Sequence, residues 1–150
     1  MATAGSAINR VLVVGAGVMG VGIAKSFAQG GFDTWLLSRR AGSLGDVPAG
    51  VKVTGELPKE APDLVIESIP EEMELKRDLY RRLEAAYPAT VAIATNTSGL
   101  DLIPLFAGMK HPERFLAAVN RADRMGVPII ALKLGRSERG KQFAVSHSGA

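Results

Sequence analysis

The sequence predicts an α/β fold in a single domain, built on a doubly wound parallel sheet. Two observations support this prediction. Short apolar runs rich in β-branched residues alternate with segments whose apolar residues recur at helical spacing, and a glycine-rich turn separates the first strand from the first helix. With 150 residues and 47% hydrophobic content, the chain is long enough to bury one core.

The first three elements are predicted from local patterns. A strand is expected at Ile8 and at residues 11–14, because this apolar run ends abruptly in glycine, as central parallel strands do. A helix should follow from Val18, since apolar residues recur every four positions, and it should stop at Gly30-Gly31. Residues 32–37 are then expected to form the second strand.

The second half of the chain continues the alternation. After Arg40 a turn-rich segment is too irregular for a helix. The amphipathic helix that follows the 64–69 strand should carry Leu75, Leu79 and Leu83 on its buried face, with Glu72/Lys76 and Asp78/Arg82 as exposed ion pairs. The remaining predictions are strands at 51–54, 64–69, 90–94, 115–119 and 127–132, the turn Asn96-Thr97-Ser98-Gly99, and a short helix capped by Asp101.

The net charge of +3 is concentrated at the end of the chain. Residues 133–150 hold four cations and one anion, so we predict a neutral domain over 1–132 and a basic, flexible tail over 133–150. Four cations without a recognition motif do not predict nucleic-acid binding. With no cysteine, the chain can hold no disulfide, thiolate nucleophile or cysteine-zinc site, and we predict no metal site. The absence of a signal-like start and of a long apolar run predicts a cytoplasmic protein without a membrane partner.

The glycine-rich turn is Gly15-Ala16-Gly17-Val18-Met19-Gly20, which matches GxGxxG between a strand and a helix. Gly15 would permit a tight turn, Gly17 would let a pyrophosphate approach the backbone, and Gly20 would let the helix pack closely on the strand. The helix N-terminus would supply free N–H groups and partial positive charge. This motif predicts a Rossmann dinucleotide-binding fold, although a glycine turn that binds nothing is the alternative.

The end of the second strand bears on which dinucleotide binds. An acidic residue there would accept hydrogen bonds from the adenosine ribose, but the sequence reads Ser38-Arg39-Arg40. A small hydroxyl followed by two guanidiniums suits the 2′-phosphate of NADP, so NADP is favoured over NAD. The alternative is a pair of solvated loop arginines.

Four stretches, VVGAGVMGVGIAKSFAQGGF, DLVIESIPEEMELKRDLYRRLE, ATNTSGL and HPERF, resemble the cofactor domain of L-3-hydroxyacyl-coenzyme A dehydrogenases. The resemblance implies an NAD(P)-dependent oxidoreductase of fatty acid metabolism that exchanges hydride with an acyl-thioester or 3-hydroxy-acid substrate. It also implies that the nicotinamide end is lined by Ile69, Pro70, Glu71, Lys76, Asn96 and Ser98. Ser98 would position the substrate hydroxyl or, alternatively, satisfy a local turn. Glu71 and Lys76 could instead be ordinary helix charges.

The sequence departs from the family pattern in its chemistry. The positions of the family's catalytic histidine and its glutamate partner fall on Val119 and Ala131, and alcohol oxidation needs a base within hydrogen-bond reach. His111 is expected at the surface, and His147 lies in the tail. The helical insertion that contacts coenzyme A is replaced by a short loop, which puts recognition of that group in question.

The resemblance also implies a helical C-terminal domain that drives dimerisation, and we expect this chain to lack it. Two hypotheses follow. The chain is the cofactor domain of an oxidoreductase whose base comes from another domain or subunit, as a homodimer or with a helical partner, or it is a non-catalytic dinucleotide-binding module.

Overall fold

The computed structural model describes residues 8–96, 102–122, 128–134 and 143–145. The elements are β1 (Arg10–Val14), α1 (Val18–Gln29), β2 (Asp33–Leu37), β3 (Val51–Thr54), β4 (Leu64–Glu67), α2 (Met73–Ala86), β5 (Ala92–Thr95), α3 (Leu102–Phe106), β6 (Phe115–Ala122), β7 (Pro128–Leu134) and β8 (Phe143–Val145). The strands form one sheet in the order β3-β2-β1-β4-β5-β6-β7-β8, in which the strands from β3 to β6 are parallel and β7 and β8 join antiparallel. The predicted α/β fold with a doubly wound parallel sheet is therefore confirmed.

Helices cover both faces of the sheet. On one face α1 buries Ile23, Ala24 and Phe27 against side chains of the central strands. On the other face α2 and α3 pack around Tyr80, whose ring lies 5.2 Å from that of Phe115. Side chains of β1 and β4 are buried on both faces, which explains why those strands read as uninterrupted apolar runs.

Two predicted details of the central region differ in the structure. The strand predicted over 64–69 ends at Glu67, because the backbone N–H of Ile69 turns back to the Glu67 carboxylate at 2.9 Å and leaves the sheet. Lys76 was expected on the exposed face of α2, but its side chain is 0% exposed. The apolar face formed by Leu79 and Leu83 is confirmed, since both side chains are buried.

The end of the sheet is an antiparallel hairpin of β6 and β7. Val119 lies directly opposite Ala131 in its register. β7 continues to Leu134 and β8 pairs with it, so backbone pairing extends into the segment expected to be a tail. The flexibility of residues 133–150 remains a prediction.

Arg114, in the HPERF stretch, is a buried cation that contacts backbone carbonyls. Its Nε donates to the carbonyl of Val91 at 2.9 Å, and its Nη2 donates to that of Pro88 at 2.7 Å and is within 3.5 Å of that of Tyr87. Tyr87 is the C-terminal cap of α2, so the positive charge of Arg114 also interacts favourably with the negative end of the helix dipole. This side chain joins α2 to the start of β6.

We predict that Arg114→Ala destabilises the fold by about 2 to 4 kcal/mol, because buried carbonyls lose their donors and are not rehydrated. Chemical denaturation followed by circular dichroism measures the change. Arg81→Ala, at an exposed position of α2, is the matched control and should change the free energy of unfolding by less than about 0.5 kcal/mol. Equal effects of the two substitutions would contradict a structural role for Arg114.

Candidate functional site

A crevice forms at the carboxyl edge of the sheet, where the strand order reverses between β1 and β4. The chain continues from sheet pairing into turns there: Gly15 N–H donates to the Leu37 carbonyl at 3.0 Å, and Ser68 N–H donates to the Val14 carbonyl at 2.8 Å. Asn96 N–H likewise donates to the Glu67 carbonyl at 2.8 Å. Open α/β sheets bind ligands at such a switch point, so this edge is the candidate site.

The glycine turn has the geometry that its sequence predicts. Gly15 has φ of +109°, and a Cβ there would lie 2.3 Å from the Ser68 carbonyl oxygen. A Cβ on Gly20 would lie 1.8 Å from the carbonyl oxygen of Gly15. At Gly17, by contrast, no described atom comes within 4 Å of an added Cβ. The first and last glycines therefore allow close backbone packing, while the middle one leaves open space for a ligand.

The start of α1 borders that open space. Gly17 is the N-cap residue, no side chain caps the helix, and no acidic residue lies in its first turn. The first N–H groups of a helix have no intrahelical acceptor, so they can bind an anion. Val18 is 91% exposed and Met19 is 52% exposed, which leaves the backbone accessible. This arrangement fits the pyrophosphate of a dinucleotide.

The end of β2 presents the two predicted arginines to solvent. Arg39 and Arg40 are exposed, whereas Ser38 is buried. The Ser38 hydroxyl oxygen accepts a hydrogen bond from the Arg40 backbone N–H at 3.1 Å. Ser38 therefore shapes the turn, and the two guanidiniums are the groups that can reach an anion.

A buried polar cluster lies under the opposite side of the crevice, at the end of β4. Its members are Glu67, Lys76, Tyr80 and Thr95, and all four side chains are buried. Burial is the main cause that raises the pKa of the Tyr80 phenol well above its ordinary value, and the negative charge of Glu67 is the second. The phenol therefore keeps its proton and remains a hydrogen-bond donor. Sequence reasoning missed Glu67, Tyr80 and Thr95. A lone carboxylate ending an apolar strand, LVIE, is the signal that could have found them, because a buried charge requires donors.

The remaining predicted residues lie around the same turn. Ile69 is half-buried, and Pro70 and Glu71 are exposed. The Asn96 side-chain amide is 3.3 Å from the Ser68 hydroxyl, which joins the turns after β4 and β5. Ser98 lies outside the described residues.

The structure describes one of the two histidines and both positions onto which the resemblance carries the catalytic pair. His111 is exposed, as expected, with its Nδ1 3.3 Å from a Glu113 carboxylate oxygen. His147 lies outside the described residues. Val119 and Ala131, onto which the resemblance carries the family's histidine and glutamate, are cross-strand neighbours. No helix within the described ranges is long and apolar enough to cross a membrane.

Two family models match the chain. The model described as "3-hydroxyacyl-CoA dehydrogenase, NAD binding domain" matches residues 10–59 and 49–119. A second model, "Succinyl-CoA ligase like flavodoxin domain", matches residues 91–150. The two matches overlap over 91–119, and from residue 120 onward only the second model matches.

The curated proteins and solved structures that are similar to this chain include several dehydrogenases. The chain is 31% identical over 133 residues to 3-hydroxyadipyl-CoA dehydrogenase of Escherichia coli K12, covering 71% of this chain and 28% of that protein. It is 32% identical over 132 residues to L-carnitine dehydrogenase of Streptomyces griseus, covering 73% of this chain and 39% of that protein. The crystal structure of the dehydrogenase part of multifunctional enzyme 1 from C. elegans superposes with a TM-score of 0.70 at 27% identity, over 81% of this chain and 33% of that one. The chain thus spans less than half the length of these proteins.

We predict that Gly20→Ala destabilises the protein by about 3 kcal/mol or more, because its methyl group would overlap the Gly15 carbonyl and force the turn apart. Gly22→Ala, two residues further along α1 in open space, is the matched control and should stabilise by about 0.5 to 1 kcal/mol through helix propensity. Thermal unfolding of both variants measures the difference. If both substitutions stabilised the protein, the close contact would not exist in solution.

Proposed function

The chain belongs to the 3-hydroxyacyl-CoA dehydrogenase family through its NAD-binding domain, and from that premise we propose that it binds a nicotinamide dinucleotide across the crevice for hydride exchange with a 3-hydroxyacyl or 3-hydroxy-acid substrate. The observation that carries this proposal is the glycine turn, whose open side at Gly17 adjoins an uncapped helix N-terminus. The bound nicotinamide would supply the redox chemistry. The protein would hold the pyrophosphate on the N–H groups of residues 17–20 and orient the two halves on either side.

We propose NADP rather than NAD as the preferred cofactor. Arg39 and Arg40 are exposed where the adenosine ribose of a dinucleotide would lie, and no carboxylate stands in the Ser38-Arg39-Arg40 turn to accept the ribose hydroxyls. Guanidinium groups bind phosphate through charge-assisted hydrogen bonds. The buried Ser38 hydroxyl contributes indirectly, through its hydrogen bond to the Arg40 backbone.

Arg39→Ala should weaken NADPH binding by about 1 to 3 kcal/mol and leave NADH binding nearly unchanged, because only NADPH carries the 2′-phosphate. Isothermal titration calorimetry with both cofactors measures this. Lys25→Ala, which removes an exposed positive charge from α1, is the control for a general electrostatic effect. An equal loss for both cofactors, or wild-type binding about tenfold tighter for NADH than for NADPH, would contradict the NADP proposal.

The second candidate function is a non-catalytic dinucleotide-binding module. It is supported by the residues at 119 and 131, onto which the resemblance carries the family's catalytic pair: they are Val and Ala, and neither side chain can accept a proton. The dehydrogenase model also stops at residue 119. In the first proposal the base must therefore come from another domain or subunit, with Ser98 positioning the substrate oxygen.

Turnover separates the two candidates. With NADPH and a 3-oxoacyl thioester, oxidation of the cofactor by the purified chain supports the oxidoreductase. If the wild-type chain binds NADPH without oxidising it, a variant that supplies the missing base separates the two candidates. Val119→His combined with Ala131→Glu restores both chemical groups on paired backbone positions. If only the base is missing, this variant should exceed the wild-type rate by about 10²- to 10⁴-fold, and Val119→Leu with Ala131→Val is its inert control.

We also propose that the substrate cleft is completed by a helical domain or by a second copy of the chain. We propose further that the protein works in the cytoplasm. Cofactor binding by this chain would not depend on either, because the turns after β1, β2 and β4 all belong to one sheet.

A further inference from the structure

The carboxylate of Glu67 has a complete set of donors although it is fully buried. One oxygen, Oε1, accepts hydrogen bonds from the Tyr80 hydroxyl at 2.5 Å and the Thr95 hydroxyl at 2.6 Å. The other, Oε2, accepts from the Lys76 ammonium at 2.5 Å and from the Ile69 backbone N–H at 2.9 Å. A single side chain thus joins the end of β4, the following turn, α2 and β5.

The Lys76 ammonium is likewise fully used within the protein. Besides Glu67 it contacts a Glu71 carboxylate oxygen at 3.2 Å and the Ile69 carbonyl at 3.3 Å. An ammonium has three N–H donors, and three acceptors surround this one. Lys76 can therefore bind a further ligand directly only by giving up one of these contacts. Its position suits holding Ile69 and Glu71 in place.

The turn of residues 69–71 borders one half of the crevice. The adenosine half of a dinucleotide lies toward the end of β2 in this type of sheet, which leaves the side of β4 and β5 to the nicotinamide half. We propose that Glu67 is a positioning residue that fixes the turn of residues 69–71, directly through Ile69 and indirectly through Lys76, and so sets the affinity for the nicotinamide half alone. This inference rests on the proposed dinucleotide binding.

The energetics favour a geometric role over a purely stabilising one. A buried ion pair recovers its desolvation cost only with good geometry, and apolar residues of similar volume often stabilise a core as well or better. Here the pair adds what apolar side chains cannot provide, which is simultaneous directional bonds to a backbone N–H and a backbone carbonyl of the same residue, Ile69.

The test compares the affinity for NADPH with the affinity for 2′,5′-ADP, which is the adenosine half of NADPH, on the same protein samples. In Glu67→Gln an amide NH₂ replaces one accepting oxygen and must face a donor. We expect NADPH binding to weaken about tenfold, as for the loss of a charged hydrogen bond, with binding of 2′,5′-ADP unchanged within about twofold. The increase in nicotinamide fluorescence on binding should also fall. Asp63→Asn is the matched control: this carboxylate precedes β4 at the opposite edge and also accepts two backbone N–H groups, so both affinities should stay in the wild-type ratio.

A second variant covers the case in which Glu67→Gln fails to fold. Glu67→Gln with Lys76→Met leaves no unpaired buried charge and should show the same selective loss of NADPH affinity. The inference is overturned if either variant keeps the wild-type ratio of the two affinities or loses both equally. If the wild-type chain binds neither NADPH nor 2′,5′-ADP, it is the proposed function that fails instead.

Discussion

Close backbone packing at residues 15 and 20 is the constraint on which the crevice depends. No Cβ fits at Gly15 beside the Ser68 carbonyl, and none fits at Gly20 beside the Gly15 carbonyl. Because α1 can start so near β1, its N-terminus opens at the same edge as the turns after β2 and β4. The start of α1 and the turn after β4 take their relative positions from these two contacts.

The parts of the fold that the sequence predicted are those specified by near neighbours. The bounds of α1 followed from its apolar spacing and from Gly30, which caps it. Local spacing could not predict that Lys76 is buried, since the cause is a carboxylate on a different element, Glu67. Arg114 is a similar case: its acceptors, Val91 and Pro88, are more than twenty residues away in sequence. The pattern of an amphipathic helix assigns its charged residues to the surface. Only the tertiary structure shows that a charged side chain has a buried hydrogen-bond partner on another element.

The hairpin of β6 and β7 pairs two backbone positions whose side chains differ from those that the family resemblance implies. Its register puts residues 119 and 131 opposite each other. The resemblance carries the family's histidine and glutamate onto these two positions, where this chain has Val and Ala. The match to the dehydrogenase model stops at residue 119, within the same strand, whereas the succinyl-CoA ligase model matches residues 91–150. The proposed cofactor site and the hairpin thus lie in different parts of the sheet.

The two borders of the sheet have a consequence for self-association. The outermost strands, β3 and β8, have four and three residues, and Lys52 projects from β3 over the ring of Trp35 at 5.2 Å. Exposed strand borders invite another chain to continue the sheet, and short strands with a lysine discourage it. A second molecule would gain few backbone hydrogen bonds at either border of the described sheet, so these short outer strands disfavour the addition of further chains.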